Sequence, residues 1–378
     1  MKLGNLIKIT SGYPFPSSEL VSNNNGTPVI KIKELKSKTV VFSNDTNFYC
    51  GDKALEEYCV TQGDILVAMT GNPPTKPNLD AMVGRCSRYP YSFTSLLNQR
   101  ICKVESKSPL LLTKYLYYWL SRDGMTEFLA QSSKGSANQA NISNRDILSL
   151  EIDLVSVAQQ SHIVDILGTL DDKIENLEEI NSKLQNYCIA KYRLLFSDVE
   201  SIPLSNIAAI TMGQSPAGNT LNDEDGVVFY QGRTDFGFRY PTVRLFTTDP
   251  KRMAKAGDIL LSVRAPVGDV NIAAEDCCIG RGIAAVSSEY NSFVYYSILN
   301  QKSDFDIYNN SGTIFGSINR DALSAFKIPA ANISLIETFE SMASNVDIDA
   351  FYRRFYRLFL NVSDKKTYVT FEFAHSKA

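Results

Sequence analysis

The chain carries its own pattern twice. Leu3 to Gly12 reads LGNLIKITSG and Leu204 to Gly213 reads LSNIAAITMG. Gly63-Asp64-Ile65-Leu66 returns as Gly257-Asp258-Ile259-Leu260, each leading into a Val-Gly pair, Val83-Gly84 and Val267-Gly268. Ser143-Asn144-Arg145-Asp146-Ile147-Leu148 then matches Ile318-Asn319-Arg320-Asp321-Ala322-Leu323 at the same place in the order. A period near half of 378 residues is far too long for a solenoid repeat and describes a duplicated domain. Two copies of one module on one chain fit a protein that grips two similar objects, or two halves of one object, at a fixed distance.

A hydrophobic content of 44% gives material for at least two full cores. No apolar run reaches the length that spans a bilayer, and Met1-Lys2-Leu3-Gly4-Asn5 lacks the apolar stretch of a signal peptide, so a cytoplasmic protein with no membrane partner is expected. The seven cysteines, Cys50, Cys59, Cys86, Cys102, Cys188, Cys277 and Cys278, include no C-x-x-C pair and have only His162 and His375 beside them. They read as reduced, packed thiols, with neither a disulfide framework nor a metal site. Lys and Arg number 38 against 41 acids, a net charge of -3. That balance argues against autonomous, tight binding of nucleic acid, which would need a local basic face or a partner's help.

Between the copies the texture changes. From Ala158 to Phe196 there is no proline and one glycine, and apolar residues fall into heptads. With Leu167 as a, the a positions are Leu167, Ile174, Asn181, Cys188 and Leu195, and the d positions are Ile163, Leu170, Leu177, Leu184 and Lys191. This is a helix built to pack on another helix, roughly 55–60 Å long at 1.5 Å per residue. Asn181 is either a register-setting amide or an exposed turn where the seam is imperfect. A second, poorer seam follows from Ser334 to Leu360, with Ile336, Phe339, Ala343, Val346, Ala350 and Leu360 interrupted by Arg353 and Arg357. The two helices either pair antiparallel or each cover its own domain.

Inside the copies, short Val/Ile/Tyr/Phe runs such as Val227 to Tyr230, Asp258 to Val263 and Val270 to Ala273 alternate with turn residues and are followed by helices such as Leu112 to Leu120. This predicts a mixed domain with a twisted sheet and long loops. The strand-like Tyr368 to Phe371 in the tail has no assigned place.

Three runs carry a resemblance: Gly213-Gln214-Ser215-Pro216, then Phe229-Tyr230-Gln231-Gly232-Arg233-Thr234-Asp235-Phe236-Gly237, then Gly257 to Asp269 with Val263-Arg264-Ala265-Pro266-Val267-Gly268. With Cys278-Ile279-Gly280-Arg281-Gly282-Ile283-Ala284-Ala285 they resemble a target-recognition domain of the specificity subunit of type I restriction-modification enzymes. Ile163 to Leu184, with Asp171-Asp172-Lys173-Ile174, is similar to that family's central helical region. The first copy departs more, with Met69-Thr70-Gly71-Asn72-Pro73-Pro74-Thr75 where the second has Val263 to Pro266, as two different half-sites require. The last helix lacks an Asp-Lys-Ile counterpart.

The resemblance implies an α+β fold with two homologous mixed α/β recognition domains, residues 1–155 and 201–331. Helical spacers at 156–200 and 332–361 would form an antiparallel coiled-coil rod with pseudo-twofold symmetry, and a tail would follow at 362–378. It implies that each domain reads one half of a bipartite site in double-stranded DNA. The helices would set the gap and dock two modification (methyltransferase) subunits through Leu167, Leu170, Ile174, Leu177, Asn181 and Leu184. Restriction/translocase subunits complete the expected complex. No catalytic residue, metal or cofactor is expected on this chain; S-adenosylmethionine, ATP and Mg belong on its partners. A solitary DNA adenine methyltransferase and a helical scaffold that binds proteins are the other readings.

Two motifs point toward an enzyme, and neither carries it. Asn72-Pro73-Pro74 is followed by Thr75, not by the aromatic ring that would stack on a flipped base. Gly280-x-Gly282-x-x-Ala285 precedes strand-like Val286-Ser287, not a helix, and reads as a tight strand-end turn. Base reading calls for Arg on guanine and Asn or Gln on adenine, presented on loops. In the second copy Gln214, Gln231, Arg233, Arg239, Arg264 and Arg281 sit beside glycines or prolines, and in the first Asn72, Lys76, Asn78, Gln99, Arg100, Lys134 and Asn138 have similar settings. Each either contacts DNA or fixes a turn. The polar runs Ser132 to Ser136 and Asn309 to Thr313 suit phosphate contacts, and Arg145 and Arg320 suit a role within their own domains.

Overall fold

The repeated Gly-Asp-Ile-Leu run leads from a tight turn into the middle of a core. Gly63 and Gly257 have φ of +91° and +89°, a conformation open to glycine and costly for residues with a Cβ. The Asp64 and Asp258 carboxylates then accept the main-chain N–H of Thr61 and Lys255 at 2.8 Å, closing the turn. The strands that follow, Ile65–Ala68 and Ile259–Ser262, are buried along their whole length. Side chains alternate across a strand, so Ile65 and Ile259 enter one core while Leu66 and Leu260 enter a second one on the opposite face.

The structure, a computed structural model, describes residues 1–22, 25–36, 38–51, 53, 55–72, 83–122, 124–136, 139–309 and 316–346. It divides into two units, Met1–Leu170 and Asp171–Ala378. In the first, one sheet runs Ile7–Ser11, Ile101–Ser106, Ile65–Ala68, Cys86–Arg88, Lys38–Thr39, and a second runs Leu20–Val21, Asn47–Tyr49, Thr27–Ile30, Ser95–Leu97, Cys59–Val60. The second unit repeats the plan with Ala209–Met212, Ile283–Ser287, Ile259–Ser262, Val270–Ile272 and with Leu221–Asn222, Leu245–Thr247, Val227–Tyr230, Cys277–Ile279, Met253–Ala254. The parallel pair inside the second sheet, Thr27–Ile30 with Ser95–Leu97, recurs as Val227–Tyr230 with Cys277–Ile279. The duplication read from the sequence is therefore a duplication of topology.

Helices Thr113–Leu120 and Asn291–Asn300 pack on the first sheets with most of their side chains buried. The Asn-Arg-Asp motif forms the short helices Asn144–Leu148 and Arg320–Ser324. One is capped by Ser143 and Asp146 and the other by the Asn319 side chain, which accepts Ala322 N–H at 2.8 Å.

The predicted long helix runs Val157–Phe196, 40 residues. Ser156 and Gln159 cap it reciprocally, and the buried Gln160 amide bonds Leu110 and Val155 carbonyls and the Leu112 N–H. Ile163, Val164 and Leu167 pack on the first unit's core. Cys188, Tyr192 and Phe196 belong to the second unit's core. Along the middle, Leu170, Ile174, Leu177, Asn181 and Leu184 are half-buried while Lys173, Glu175, Glu179 and Lys183 are exposed, as the heptad pattern requires. A second helix covers 333–346, and the rest of the expected C-terminal spacer and tail lies outside the described residues. Phe339 places its ring 5.6 Å from Tyr192 and 5.7 Å from Phe196 and Tyr296, so this helix both meets the end of the long helix and covers its own domain. Its Glu340 carboxylate accepts Ser292 and Phe293 N–H groups at the start of Asn291–Asn300, where a negative charge is favourable.

Two expectations follow. Phe339→Ala removes a fully buried ring and is expected to cost the second unit about 3–5 kcal/mol, measured by denaturant unfolding. Five thiols, Cys86, Cys102, Cys188, Cys277 and Cys278, are buried and Cys50 is exposed. Burial pushes the Cys102 and Cys277 thiols up to about 12, and Cys86 rises too, so at pH 8 these three stay protonated and poor as nucleophiles. A thiol reagent at pH 8 is expected to modify Cys50 first and the five buried thiols only after unfolding, read by mass spectrometry.

Candidate nucleic-acid interface

One turn organises the exposed polar residues of each unit. In the first it is Asn98-Gln99-Arg100, between Ser95–Leu97 and Ile101–Ser106; in the second it is Gly280-Arg281-Gly282, between Cys277–Ile279 and Ile283–Ser287. Gly12 and Gly213 donate to Ile101 and Ile283 carbonyls, Tyr13 and Gln214 to Leu97 and Ile279, and Met69 and Val263 to Arg100 and Gly282. A Cβ on Gly12 would stand 2.1 Å from the Asn98 carbonyl oxygen and one on Gly213 2.2 Å from that of Gly280, so the repeated glycine is what lets the first strand's exit lie against the turn. Ile142 and Ile318 then donate to Met69 and Val263, drawing the segment before each Asn-Arg-Asp helix to the same place. As the sequence suggests, Gly280-x-Gly282 is a strand-end turn with no helix after it.

Gln99 and Arg100 in the first unit, and Gln214, Gln231, Arg233, Arg264 and Arg281 in the second, are exposed on this network of loops. Arg281 N–H donates to the Ser215 hydroxyl at 3.2 Å and Gly282 N–H to the Gln231 carbonyl, so the loops bearing Gln214, Gln231 and Arg281 adjoin. The Asp235 carboxylate accepts the N–H groups of Gln231 and Gly232 at 2.7 and 3.2 Å and pairs with Arg244, which fixes the loop carrying Gln231 and Arg233. Arg264 sits in a loop pinned at both ends. Ala265 donates to Gly316, the Ser262 hydroxyl donates to Pro266 and accepts from Asp269 N–H, and the Asn309 side chain accepts Val267 N–H at 2.7 Å.

Several expectations change. Arg239 is buried, 3% exposed, with its guanidinium over the rings of Tyr295 and Tyr296 at 5.2 and 5.5 Å and donating to the Tyr296 hydroxyl. Its carbonyl accepts Ile272 N–H along the edge that Lys38–Thr39 occupies in the first unit, so it fastens that edge and does not reach out. Asn72 is half-buried. The run Ser132 to Ser136 is not all loop, since Lys134–Ser136 pairs with Gln139–Asn141, which pairs with Thr70–Gly71; the Lys134 main chain is thus in a small sheet. The Asn309 side chain bonds the Val267 main chain in both directions, and the rest of its polar run, 310–313, lies outside the described residues. Lys76, Asn78, Asn138 and Thr313 lie outside the described residues. The sequence reading missed Asp269, which holds Arg233 at 2.5 Å and Lys302 together, because only the fold brings these residues to one carboxylate. Burial alone raises that carboxyl, but the hydrogen bonds from Lys302 and Arg233 outweigh it and hold it below the usual range.

A family described as the type I restriction modification DNA specificity domain matches residues 1–186 and 197–332. The chain belongs to this family. Each of the two matched stretches contains one copy of the sequence pattern. A putative type I restriction enzyme MjaX specificity subunit of Methanocaldococcus jannaschii is 33% identical over 241 residues, covering 57% of this chain and 56% of that protein. The type I restriction enzyme EcoBI specificity subunit of Escherichia coli is 23% identical over 335 residues, covering 78% of this chain and 66% of its own length. The chain thus spans between half and two thirds of these relatives. The crystal structure of a type I restriction-modification S subunit from M. genitalium covers 97% of this chain and 93% of its own, with a TM-score of 0.57 at 17% identity, a likeness of fold.

Among the described residues of this specificity-domain chain, no group of His, Cys, Asp and Glu could hold a metal ion, and no helix is long and apolar enough to cross a membrane. Arg239→Ala is expected to lower the stability of the second unit by roughly 1.5–3 kcal/mol, the worth of a buried hydrogen bond to a charged group, while leaving sequence preference unchanged. Denaturant unfolding beside methylation mapping checks both halves of that statement.

Proposed function

We propose that this chain is the DNA-recognition subunit of a type I restriction-modification complex, each specificity domain reading one half of a bipartite double-stranded site. The observation that carries the reading is the duplicated turn at Asn98 to Arg100 and Gly280 to Gly282. It presents Gln99 and Arg100 in one unit and Arg281, beside Gln214, in the other, on one backbone frame with different side chains. Arg and Gln on fixed loops are the side chains that read guanine and adenine edges in the major groove. On this reading Asn72, Lys76, Asn78, Lys134, Asn138, Gln231, Arg233, Arg264 and Thr313 join them on the DNA side. The half-buried seam from Leu167 to Leu184 docks two modification subunits, and the helices set the gap between half-sites. Methyl transfer from S-adenosylmethionine, and ATP- and Mg-dependent translocation and cleavage, take place on partner subunits. The excess of acids over bases agrees with DNA binding that depends on those partners.

The test is the chain alone and with its modification subunits. Alone it is expected to bind DNA weakly and transfer no methyl group; methylation by the isolated chain would favour a solitary methyltransferase. In the complex, Arg281→Ala is expected to relax one half of the methylated sequence and leave the other intact, since a lost bidentate contact is worth about 1–3 kcal/mol at its base pair. Loosening of both halves together would end the two-reader reading, and a complex that never binds DNA would favour the protein scaffold.

A further inference from the structure

The exposed loops of the second unit surround one half-buried carboxylate. Asp269 stands at the entry to Val270–Ile272, 14% exposed, with its carbonyl accepting Ser262 N–H at 2.8 Å and its N–H donating to the Ser262 hydroxyl at 2.9 Å. Its Oδ2 accepts Arg233 Nε at 2.5 Å and its Oδ1 pairs with Lys302 Nζ. Both cations are more than half exposed, at 57% and 56%. Arg264 leaves the other end of the same loop, and Arg281 lies on the turn whose Gly282 bonds Gln231, two residues before Arg233.

A surface that served only to neutralise phosphates would gain nothing from a carboxylate, which cancels one positive charge and repels the backbone of DNA. A carboxylate does help where the orientation of a guanidinium matters more than its charge. Nε is the one guanidinium donor on the stem side of the fork, so an acceptor there turns the terminal Nη pair outward and fixes its plane. Neither Nη of Arg233 makes a hydrogen bond within the described residues, and that pair has the spacing that guanine O6 and N7 accept. Lys302 balances the second oxygen, so the trio keeps a net charge of +1 by the signs of its members. Among the described residues the first copy has no equivalent trio at the matching positions. Arg85, buried and donating to the Leu35 carbonyl, stands where the second has Asp269, and Ile32 opens the short helix that Arg233 opens in the second. A feature confined to one copy is what a reader of one half-site requires.

Building on the recognition reading above, we propose that Asp269 is a positioning residue that presents Arg233 as the reader of a guanine in the half-site of the second domain. The full chain, assembled with its modification subunits, is used to map methylated sites across a genome. Arg233→Ala and Arg233→Lys, which keeps the charge and loses the fork, are each expected to reduce preference for guanine at one position by about 5- to 150-fold, with every other position still read. Asp269→Ala is expected to relax that same position, and the double variant with Arg233→Ala no further. Asp269→Asn, which retains an acceptor for Nε without the charge, is expected to recover most of the preference, and Lys302→Met to leave the sequence unchanged. Arg233 is exposed, so its variants and Asp269→Asn decide the matter even if Asp269→Ala folds poorly. Uniform weakening at all sites with an unchanged sequence would make Arg233 a phosphate contact and overturn the proposal. So would an Asp269→Ala complex that reads guanine as before. A wild-type complex that leaves no bipartite pattern would instead remove the recognition reading on which the proposal stands.

Discussion

Each unit depends on one strand covered on both faces. Ile65–Ala68 and Ile259–Ser262 have a core above and a core below, so neither can shift register by one residue without exchanging the side chains of the two cores. The organising turn and the approach to each short helix are hung from the far ends of these strands. Ala68 and Ser262 accept the N–H groups of Gly84 and Gly268, and the following residues, Met69 and Val263, bond the organising turn and the approach to the short capped helix. The loops can therefore be irregular without being loose. Their main-chain groups are spent on a frame that is itself locked by burial.

Much of this was legible in the sequence for reasons that are local. The Gly-Asp-Ile-Leu and Asn-Arg-Asp runs stand out as repeats without any distant partner, and each is a local device in the fold, a glycine turn closed by aspartate and a capped short helix. The heptads of the long helix were legible because a helix displays its periodicity whatever covers it, and the half-buried series from Leu167 to Leu184 follows that period. The family resemblance rests on the same turns, which the fold uses as its frame.

What was not legible depends on distance along the chain. Arg239 looks like any arginine beside a glycine, and only the arrival of Tyr295 and Tyr296 makes its place an interior one. Asp269 reads as one acid among many until Arg233, 36 residues earlier, comes to its carboxylate. Its signal lay in the comparison of the copies, where Val83-Gly84 is followed by arginine and Val267-Gly268 by aspartate. A net charge of -3 likewise describes the chain and not the place where Arg233, Arg264 and Arg281 emerge on adjoining segments and Lys302 joins Arg233 at one carboxylate.

The organising turn is held through the main chain, apart from the Ser215 hydroxyl and the Asn98 amide. None of those bonds uses the side chains of Gln99, Arg100, Gln214 or Arg281. Stability and selectivity are thus written in different atoms, and natural variation can exchange one set without disturbing the other. A scaffold of this kind can drift from one target to another by single replacements, each leaving a folded protein behind it, and two linked copies can drift separately. Diversity of targets then arises as the product of two short lists instead of the search of one long one.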